Sequence, residues 1–229
     1  MLTPNFYSLN SAAAQLKHIF QAIAPDHCPA LANFHMHTFC SDGQLDPEAL
    51  VQQAVFLGLR NLAITDHHTI NGYRHAHQWL RHHGATANTS VLPKLWPGLE
   101  VNAGLLDIEV HILCYAFVPD HPALQPYVQG EAATGDDYDA AQVIDAIHQA
   151  GGLAVLAHPA RYRRSPADLI GAAAAMNLDG VESYYAYDNP EPWRPSPKQT
   201  EIVYQLGEQY GLFHTCGTDT HGESLLKRL

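Results

Sequence analysis

Short apolar runs alternate with amphipathic stretches along most of the chain. The apolar runs predict seven buried strands, at residues 31–39, 61–65, 95–101, 109–117, 153–157, 180–185 and 213–217. Stretches with helical periodicity, most of them followed by glycine or proline, predict helices at residues 11–23, 47–59, 73–83, 139–150, 166–177 and 197–210. Strands that mostly alternate with helices favour a parallel β/α architecture. The order of the elements does not decide between a barrel and an open sheet.

The first 30 residues precede this alternation. The pattern predicts residues 1–30 as an N-terminal helical extension and residues 31–229 as one β/α domain. The extension lacks the basic start and the apolar stretch of a secretory signal, and no apolar run reaches the roughly 20 residues that a membrane helix needs. Four cysteines are scattered without paired spacing, which is typical of neither a disulfide framework nor a thiolate zinc cluster. We therefore expect a protein of the reducing cytoplasm.

The charge balance narrows the classes of partner. There are 23 acidic residues against 12 basic ones, so the formal net charge is −11. Duplex nucleic acid and anionic membranes are poor partners for such a chain, because both are bound by clustered lysine and arginine. Residues 95–160 contain no lysine or arginine but nine acidic residues, and the chain has 16 histidines. An acidic, histidine-rich composition favours metal cations as the source of the missing positive charge.

Histidines and carboxylates occur at the end of almost every predicted strand. His35 and His37 are two positions apart, so both rings point to one face of an extended strand. Burying many such groups at one end of a sheet is costly unless cations neutralise and orient them. Sites in β/α folds form at these strand ends. The candidate residues are His35, His37, Asp42, Asp66, His67, Glu100, His111, His158, Glu182, Asp219 and His221.

The sequence resembles the PHP (polymerase and histidinol phosphatase) family of metal-dependent phosphoesterases. The matching segments occur in the family's order between residues 33 and 222, and they read HMHTFCSDGQLDP, AITDHHTI, GLEVN, VHILCY, AHPARY, GVESYY and CGTDTHG. The resemblance implies a distorted (β/α)7 barrel with a cluster of three divalent metal ions at the C-terminal ends of its strands. Imidazole and carboxylate ligands without thiolate suit Zn²⁺, Mn²⁺ or Fe²⁺.

The resemblance also implies a distribution of ligands among the three metals. The first metal is expected to bind His35, His37 and Asp219, and Glu100 is expected to bridge the first and second metals. The second and third sites are expected to be completed by His111 and His158, and by Asp42, His67 and His221, respectively. A water shared between two metals would have its pKa lowered toward neutrality and would attack phosphorus as hydroxide.

Further residues are candidates for catalysis and substrate binding. Asp66 precedes a predicted ligand, and it is expected either to orient that ligand or accept a proton, or else to cap a turn. Arg161 belongs to the only basic cluster in the chain and is a candidate for binding phosphate. Tyr184 is a candidate for stacking on a base or sugar, although packing at the barrel rim explains it equally well. Arg194, beside a proline-rich segment, is also a candidate for contacting phosphate.

Two features of the chain bear on its substrate. His68 stands where relatives often have aspartate. Only 46 residues separate His111 from His158, where many relatives that act on nucleotides or short RNA carry a small helical domain. The leading hypothesis is therefore hydrolysis of a small phosphorylated metabolite or nucleotide. The alternatives are a 5′–3′ exonuclease acting on short single strands and a non-catalytic metal-binding barrel, and the oligomeric state stays open.

Overall fold

The computed structural model describes residues 6–84 and 92–229. Side chains are described from residue 12 to residue 83 and from residue 92 onward. The first five residues of the predicted N-terminal extension therefore lie outside the described residues. Six α-helices are found in the described chain: α1 (Phe6–Gln21), α2 (Pro47–Leu57), α3 (Asn71–Gly84), α4 (Ala140–Gln149), α5 (Pro166–Ala175) and α6 (Pro197–Tyr210). None of these helices is long and apolar enough to cross a bilayer.

The described strands form two sheets. Three parallel strands lie in the order β1-β2-β3, and five strands lie in the order β4-β5-β6-β7-β8. The strands are β1 (Ala32–Asn33), β2 (Asn61–Ala63), β3 (Lys94–Trp96), β4 (Gly98–Leu105), β5 (Ile108–Tyr115), β6 (Leu153–Leu156), β7 (Gly180–Tyr184) and β8 (Phe213–Cys216). Isolated bridges join the two sheets on both sides, between Met36 and Thr220 and between His67 and Glu100.

The prediction of seven parallel strands needs correction, although the α/β class is confirmed. The predicted strand at 95–101 is divided into β3 and β4, because Pro97 cannot donate a backbone hydrogen bond to a ladder. β5 pairs antiparallel with both β4 and β6, since the turn at Leu106 and Asp107 joins β4 to β5 without an intervening helix. The described strands do not form one closed sheet.

Local capping chemistry sets the helix ends. The carboxylate of Asp46 accepts hydrogen bonds from the backbone N–H groups of Glu48 and Ala49, and Pro47 occupies the first turn. Gly58 ends α2 at a φ of 77°, a left-handed conformation that glycine adopts without steric cost. The hydroxyl of Ser165 caps α5 in the same way as Asp46 caps α2. These signals are local, so the sequence places these helix starts correctly.

Helix α1 packs into the core that supports β1 and β8. The Phe20 ring lies 4.8 Å from that of Phe34 and 5.0 Å from that of Phe213, measured between ring centroids. Leu16 and Phe20 are fully buried in the same apolar cluster as Tyr115 and the residues around β8. Buried aromatic pairs of this kind stabilise a fold beyond the area that they bury. The described part of the extension thus supports the strands from which the site is built.

The cysteines differ from the sequence-based expectation. Cys28 and Cys216 form a disulfide across a separation of 188 residues, and their Cα atoms are 6.1 Å apart. Cys40 and Cys114 are free thiols. Spacing along the chain could not reveal the pair, because the fold alone brings the segment after α1 against the end of β8. Disulfides are rare in reducing compartments, so this bond gives no support to the expected cytoplasmic location. That location stays a prediction.

Candidate metal centre

The ends of β1 and β8 come together to form the floor of the site. The backbone N–H of Asp219 donates to the carbonyl of His35 at 2.8 Å, and that of His37 donates to the carbonyl of Thr220 at 3.0 Å. Gly217 allows this approach, because a Cβ atom there would lie 2.1 Å from the Cβ atom of His35. The last strand is therefore held directly against the HxH segment.

Four buried side chains converge on this floor. The Nε2 atoms of His35 and His37 lie 2.9 and 3.0 Å from Oε2 of Glu100, and each lies 3.2 Å from Oδ1 of Asp219. All four residues are at most 2% exposed. Two imidazoles and two carboxylates at this separation have the donor types that Zn²⁺, Mn²⁺ and Fe²⁺ share. This group matches the set expected for the first metal together with its bridging glutamate.

Glu100 connects this group to a second one. Its Oε1 atom lies 2.8 Å from Nδ1 of His111 and 3.6 Å from Nε2 of His158, and its Oε2 atom lies 3.5 Å from Nε2 of His67. The ligand atoms of His67, Glu100 and His111 lie close enough together to hold an ion, and His158 lies beside this group, 3.6 Å from Glu100. The structure thus places His67 beside His111 and Glu100 as well, and the assignment of His158 to the second metal stays a prediction.

A third group lies toward solvent. Nε2 of His221 is 3.2 Å from Oδ2 of Asp42, and His67 and His37 approach the same carboxylate at 4.0 and 3.6 Å. These four residues form a further cluster with metal-binding geometry. All nine predicted ligands therefore lie in one continuous network, although His37 and His67 each border two groups.

Several imidazole rings in this network have a nitrogen whose lone pair is available to a cation. Nδ1 of His35 lies 2.9 Å from Oε1 of Glu182, and Nδ1 of His221 lies 2.7 Å from the carbonyl oxygen of Asp219. When Nδ1 donates to an oxygen, the lone pair is on Nε2, which is the usual arrangement around metal-binding histidines. Buried nitrogens without hydrogen-bond partners among the described residues occur in His37, His67 and His158. The residues present therefore fit divalent cations.

The carboxylates and histidines shift one another's pKa values. Burial raises the pKa of Glu100, but the charges of His35, His67 and His111 outweigh burial and hold it well below its usual range. Burial lowers the pKa of His37, but the carboxylates of Asp219 and Glu100, at 3.2 and 3.0 Å from its Nε2 atom, outweigh burial and raise it to about 9. The carboxylate of Glu100 is consequently ionised and suited to neutralise a cation.

Asp66 lies behind the ligands rather than among them. Its carboxylate accepts hydrogen bonds from the backbone N–H and the hydroxyl of Thr38, at 2.6 and 2.7 Å, and from the hydroxyl of Ser41 at 2.9 Å. Burial raises its pKa, against these hydrogen bonds. The side chain fixes the loop that carries Asp42, and its predicted role in orienting His67 or accepting a proton stays a prediction.

Asp219 accepts hydrogen bonds from side chains that were not predicted to contact it. Its Oδ2 atom accepts a hydrogen bond from the hydroxyl of Tyr185 at 2.6 Å and one from Nε of Arg228 at 2.8 Å. Arg161 reaches the same oxygen at 3.4 Å. Arg228 was missed because it follows the last predicted strand. A basic residue so near the aspartate of GTDTHG was the available signal.

Two predicted substrate residues lie away from the ligands. Tyr184 is buried in the apolar cluster under α1 and α6, with its ring 6.4 Å from that of Tyr204. An irregularity in the register between Glu182 and Tyr184 alters the alternation of β7, so that Tyr185 reaches the site instead. Arg194 is exposed and forms no hydrogen bond or ion pair with any described residue.

Known proteins provide an independent comparison. The model of the PHP domain matches residues 33–148, which is just over half of the chain. The chain belongs to the PHP domain family. The 5′-3′ exoribonuclease Rnm of Salmonella typhimurium is 25% identical to this PHP protein, over 87% of this chain and 88% of the relative.

Solved structures of similar fold agree with this membership. A protein of Bifidobacterium adolescentis that is assigned as a metal-dependent phosphoesterase is 26% identical and has a TM-score of 0.65, with 85% of this PHP protein and 89% of the other chain covered. An amidohydrolase from Chromobacterium violaceum has a TM-score of 0.71 at 19% identity, over 87% and 90% of the two chains. The second likeness concerns the fold alone.

Proposed function

We propose that this PHP protein hydrolyses the phosphate ester of a small nucleotide or phosphorylated metabolite. The chain is a metal-dependent hydrolase of phosphate esters, as its family membership and its clustered ligands indicate. One observation carries the proposal: the carboxylate of Glu100 lies among five imidazoles, and the guanidinium groups of Arg161 and Arg228 lie beside the adjoining Asp219. Cation sites and phosphate-binding side chains are thereby adjacent.

We assign up to three divalent cations to this centre, with Zn²⁺, Mn²⁺ and Fe²⁺ as candidates. When bound, such cations supply Lewis acidity toward phosphate oxygens and an activated water. His35, His37, Glu100 and Asp219 would hold the most buried cation, and the remaining five ligands would hold the others. The two bridges that join the sheets support a distorted barrel around this centre.

The chain's own residues bind and orient the substrate in this proposal. Arg161 and Arg228 pair with the phosphate oxygens, because guanidinium groups match phosphate in charge and geometry. Tyr185 donates to Asp219 and fixes the carboxylate while the arginines turn to the substrate. Asp66 positions the loop of Asp42 through Thr38 and Ser41.

A second candidate function is 5′–3′ exonuclease activity on short single-stranded RNA. The observation that favours it is the similarity to the exoribonuclease Rnm along most of both chains. The absence of lysine and arginine from residues 95–160 disfavours a long polyanion, since strand-binding grooves are positively charged. The exclusion of duplex nucleic acid stays a prediction.

The test combines metal analysis with a substrate panel. Metal content is measured by mass spectrometry, and hydrolysis is then followed with p-nitrophenyl phosphate, its bis ester, nucleoside mono- and bisphosphates, and 5′-phosphorylated oligoribonucleotides. Turnover of the small esters supports the proposal. Turnover of oligonucleotides alone would support the exonuclease, and stable metal content without any turnover would support a non-catalytic metal-binding barrel.

A further inference from the structure

Arg228 reaches the metal centre from a segment without regular secondary structure. Residues 222–229 lie after β8 and form neither a helix nor a strand, so no ladder of backbone hydrogen bonds fixes them. The segment nevertheless brings Nε of Arg228 to 2.8 Å from Oδ2 of Asp219. That contact leaves further N–H donors of the guanidinium group for a phosphate. The position of this arginine therefore depends on individual contacts of the segment.

Two consecutive carbonyl groups of the segment are tied to the residues that follow Asp219. The carbonyl of Lys227 accepts a hydrogen bond from the hydroxyl of Thr220 at 2.8 Å. The carbonyl of Arg228 accepts one from the backbone N–H of His221 at 2.6 Å. Because Thr220 and His221 directly follow Asp219 in the chain, these bonds fix the arginine relative to the carboxylate that it contacts.

The hydroxyl of Thr220 belongs to a chain of hydrogen bonds that has one direction. Its proton points to the segment, because the carbonyls of Lys227 and Ser224, at 2.8 and 3.3 Å, can only accept. Oγ1 of Thr218, at 2.6 Å, must then donate to Oγ1 of Thr220. Thr218 in turn accepts from Nδ2 of Asn33 at 2.8 Å, and its backbone N–H donates to Oδ1 of Asn33 at 3.0 Å. The chain thus runs from β1 to the segment that carries Arg228.

The chain is shielded from water, whereas the middle of the segment has its own anchor. Asn33, Thr218 and Thr220 are at most 1% exposed, so water cannot replace a lost partner at low cost. Leu225 is fully buried, and its backbone N–H donates to Oε1 of Gln53 at 3.2 Å. Loss of the Thr220 hydroxyl should therefore shift the end of the segment that carries the arginine and leave the remainder in place.

We propose that Thr220 is a positioning residue for phosphate binding, which it supports by holding Arg228 beside Asp219. This inference rests on the proposed function, because that function assigns Arg228 to the phosphate. Thr220 would contact neither the substrate nor a cation, since its hydroxyl is bonded to Thr218 and to the segment. Its whole effect on phosphate should then pass through the arginine.

The test measures phosphate affinity by calorimetry with the metal-loaded protein. The variants are Thr220→Val, which keeps the shape and loses the hydroxyl, Thr220→Ser, which keeps the hydroxyl, Arg228→Ala, and the double variant Thr220→Val with Arg228→Ala. Thr215→Val is the matched control, because Thr215 is a fully buried threonine of β8 whose hydroxyl has no hydrogen-bond partner among the described residues. Metal content and thermal unfolding are measured for each protein.

We expect Thr220→Val to raise the Kd of inorganic phosphate by roughly tenfold, the effect of one lost hydrogen bond of the bound arginine. The double variant should bind phosphate within about twofold of Arg228→Ala alone, because residues that act through one another are not additive. Thr220→Ser and Thr215→Val should match the wild type within the same factor. Metal content should be equal in all of these proteins.

Other outcomes would overturn the inference. Unchanged phosphate affinity in Thr220→Val, or losses that multiply in the double variant, would show that Thr220 does not act through Arg228. Loss of metal from Thr220→Val alone would place its role in the ligand loop instead. Thr220→Ala, which removes the same hydroxyl with less bulk, repeats the test if the valine variant does not fold.

The two proposals fail in different ways. Wild-type protein that hydrolyses no phosphate ester but shows the non-additive loss of phosphate affinity would refute the proposed function and leave the role of Thr220 supported. Hydrolysis of small esters together with additive losses would refute the role of Thr220 and leave the proposed function supported.

Discussion

At the scale of single residues, the most important feature is that the two carboxylate oxygens of Asp219 have different partners. Oδ1 faces His35 and His37, whereas Oδ2 accepts from Tyr185, Arg228 and Arg161. Replacing Arg228 with alanine should lower kcat/KM for a phosphate monoester by roughly 10- to 100-fold, the effect of losing a charged hydrogen bond. The Kd of inorganic phosphate should rise in parallel.

Arg163→Ala provides the control for this substitution, because Arg163 is exposed and belongs to the same basic cluster as Arg161. Unchanged phosphate affinity in Arg228→Ala, with metal content retained, would restrict Arg228 to a structural role. Arg228→Lys separates the two effects further, since lysine keeps the charge and loses the planar fork.

Glu182 positions His35 from the side of the ring that faces away from the metal centre. It accepts from the ring of His35 through Oε1 and from the backbone N–H of His158 through Oε2, so one carboxylate positions two predicted ligands. Glu182→Gln should weaken metal binding by about 10- to 100-fold, because partners of this kind fix the tautomer and basicity of the ligand. Competition with a coloured chelator measures this affinity, and Glu201→Gln on the exposed face of α6 is the control. Equal affinities would show that Glu182 has no influence on the ligands.

At the scale of elements, the site depends on the close contact between the residues that follow β8 and the segment after β1 that carries His35. Gly217→Ala would place a Cβ atom 2.1 Å from the Cβ atom of His35 and 2.6 Å from its backbone nitrogen, so the two segments must separate. We expect a loss of stability of about 3 kcal/mol or more, typical of overpacking against backbone, together with loss of bound metal. Urea unfolding and metal analysis measure the two effects.

Gly171→Ala in α5 is the matched control for that prediction. Its Cβ atom would meet only the hydroxyl end of Tyr210, at 2.9 Å, and that side chain can move. Alanine in a helix interior is favoured over glycine by about 0.5–1 kcal/mol, so stability should change little. A Gly217→Ala protein as stable and as metal-rich as this control would contradict the tight contact.

The elements also show what the sequence could predict. Helix starts at Asp46 and Ser165 were predictable because a cap acts within one turn. The pairing of the strands was not predictable, since an apolar run does not show whether a strand is parallel or antiparallel to its neighbour. The antiparallel position of β5 follows from a tight turn. Histidines and carboxylates at strand ends indicated where the site lies, and the resemblance to the PHP family distinguished the nine expected ligands among them. Tyr185 and Arg228 could not be predicted, because their positions depend on an irregular strand and a terminal loop.

At the scale of the whole molecule, the Cys28–Cys216 disulfide joins the segment behind α1 to the strand that leads to Asp219. A crosslink that closes a loop of 188 residues restricts the unfolded chain, and the loss of a native disulfide typically costs about 2–5 kcal/mol. Reduction should therefore lower the free energy of unfolding by about this amount. The native fold should persist, because Leu16 and Phe20 remain packed against the strands.

Alkylation and unfolding together check this prediction. In denaturant, iodoacetamide should label two thiols, Cys40 and Cys114, before reduction and all four cysteines after it. Cys28→Ser should unfold at the same urea concentration as the reduced wild type and should not respond to reductant, whereas Cys40→Ser should retain the response. Four labelled thiols in freshly purified protein would mean that the bond is absent there. The packing of α1 on Phe34 and Phe213 would then be the main link between the N-terminal segment and the strands around the metal centre.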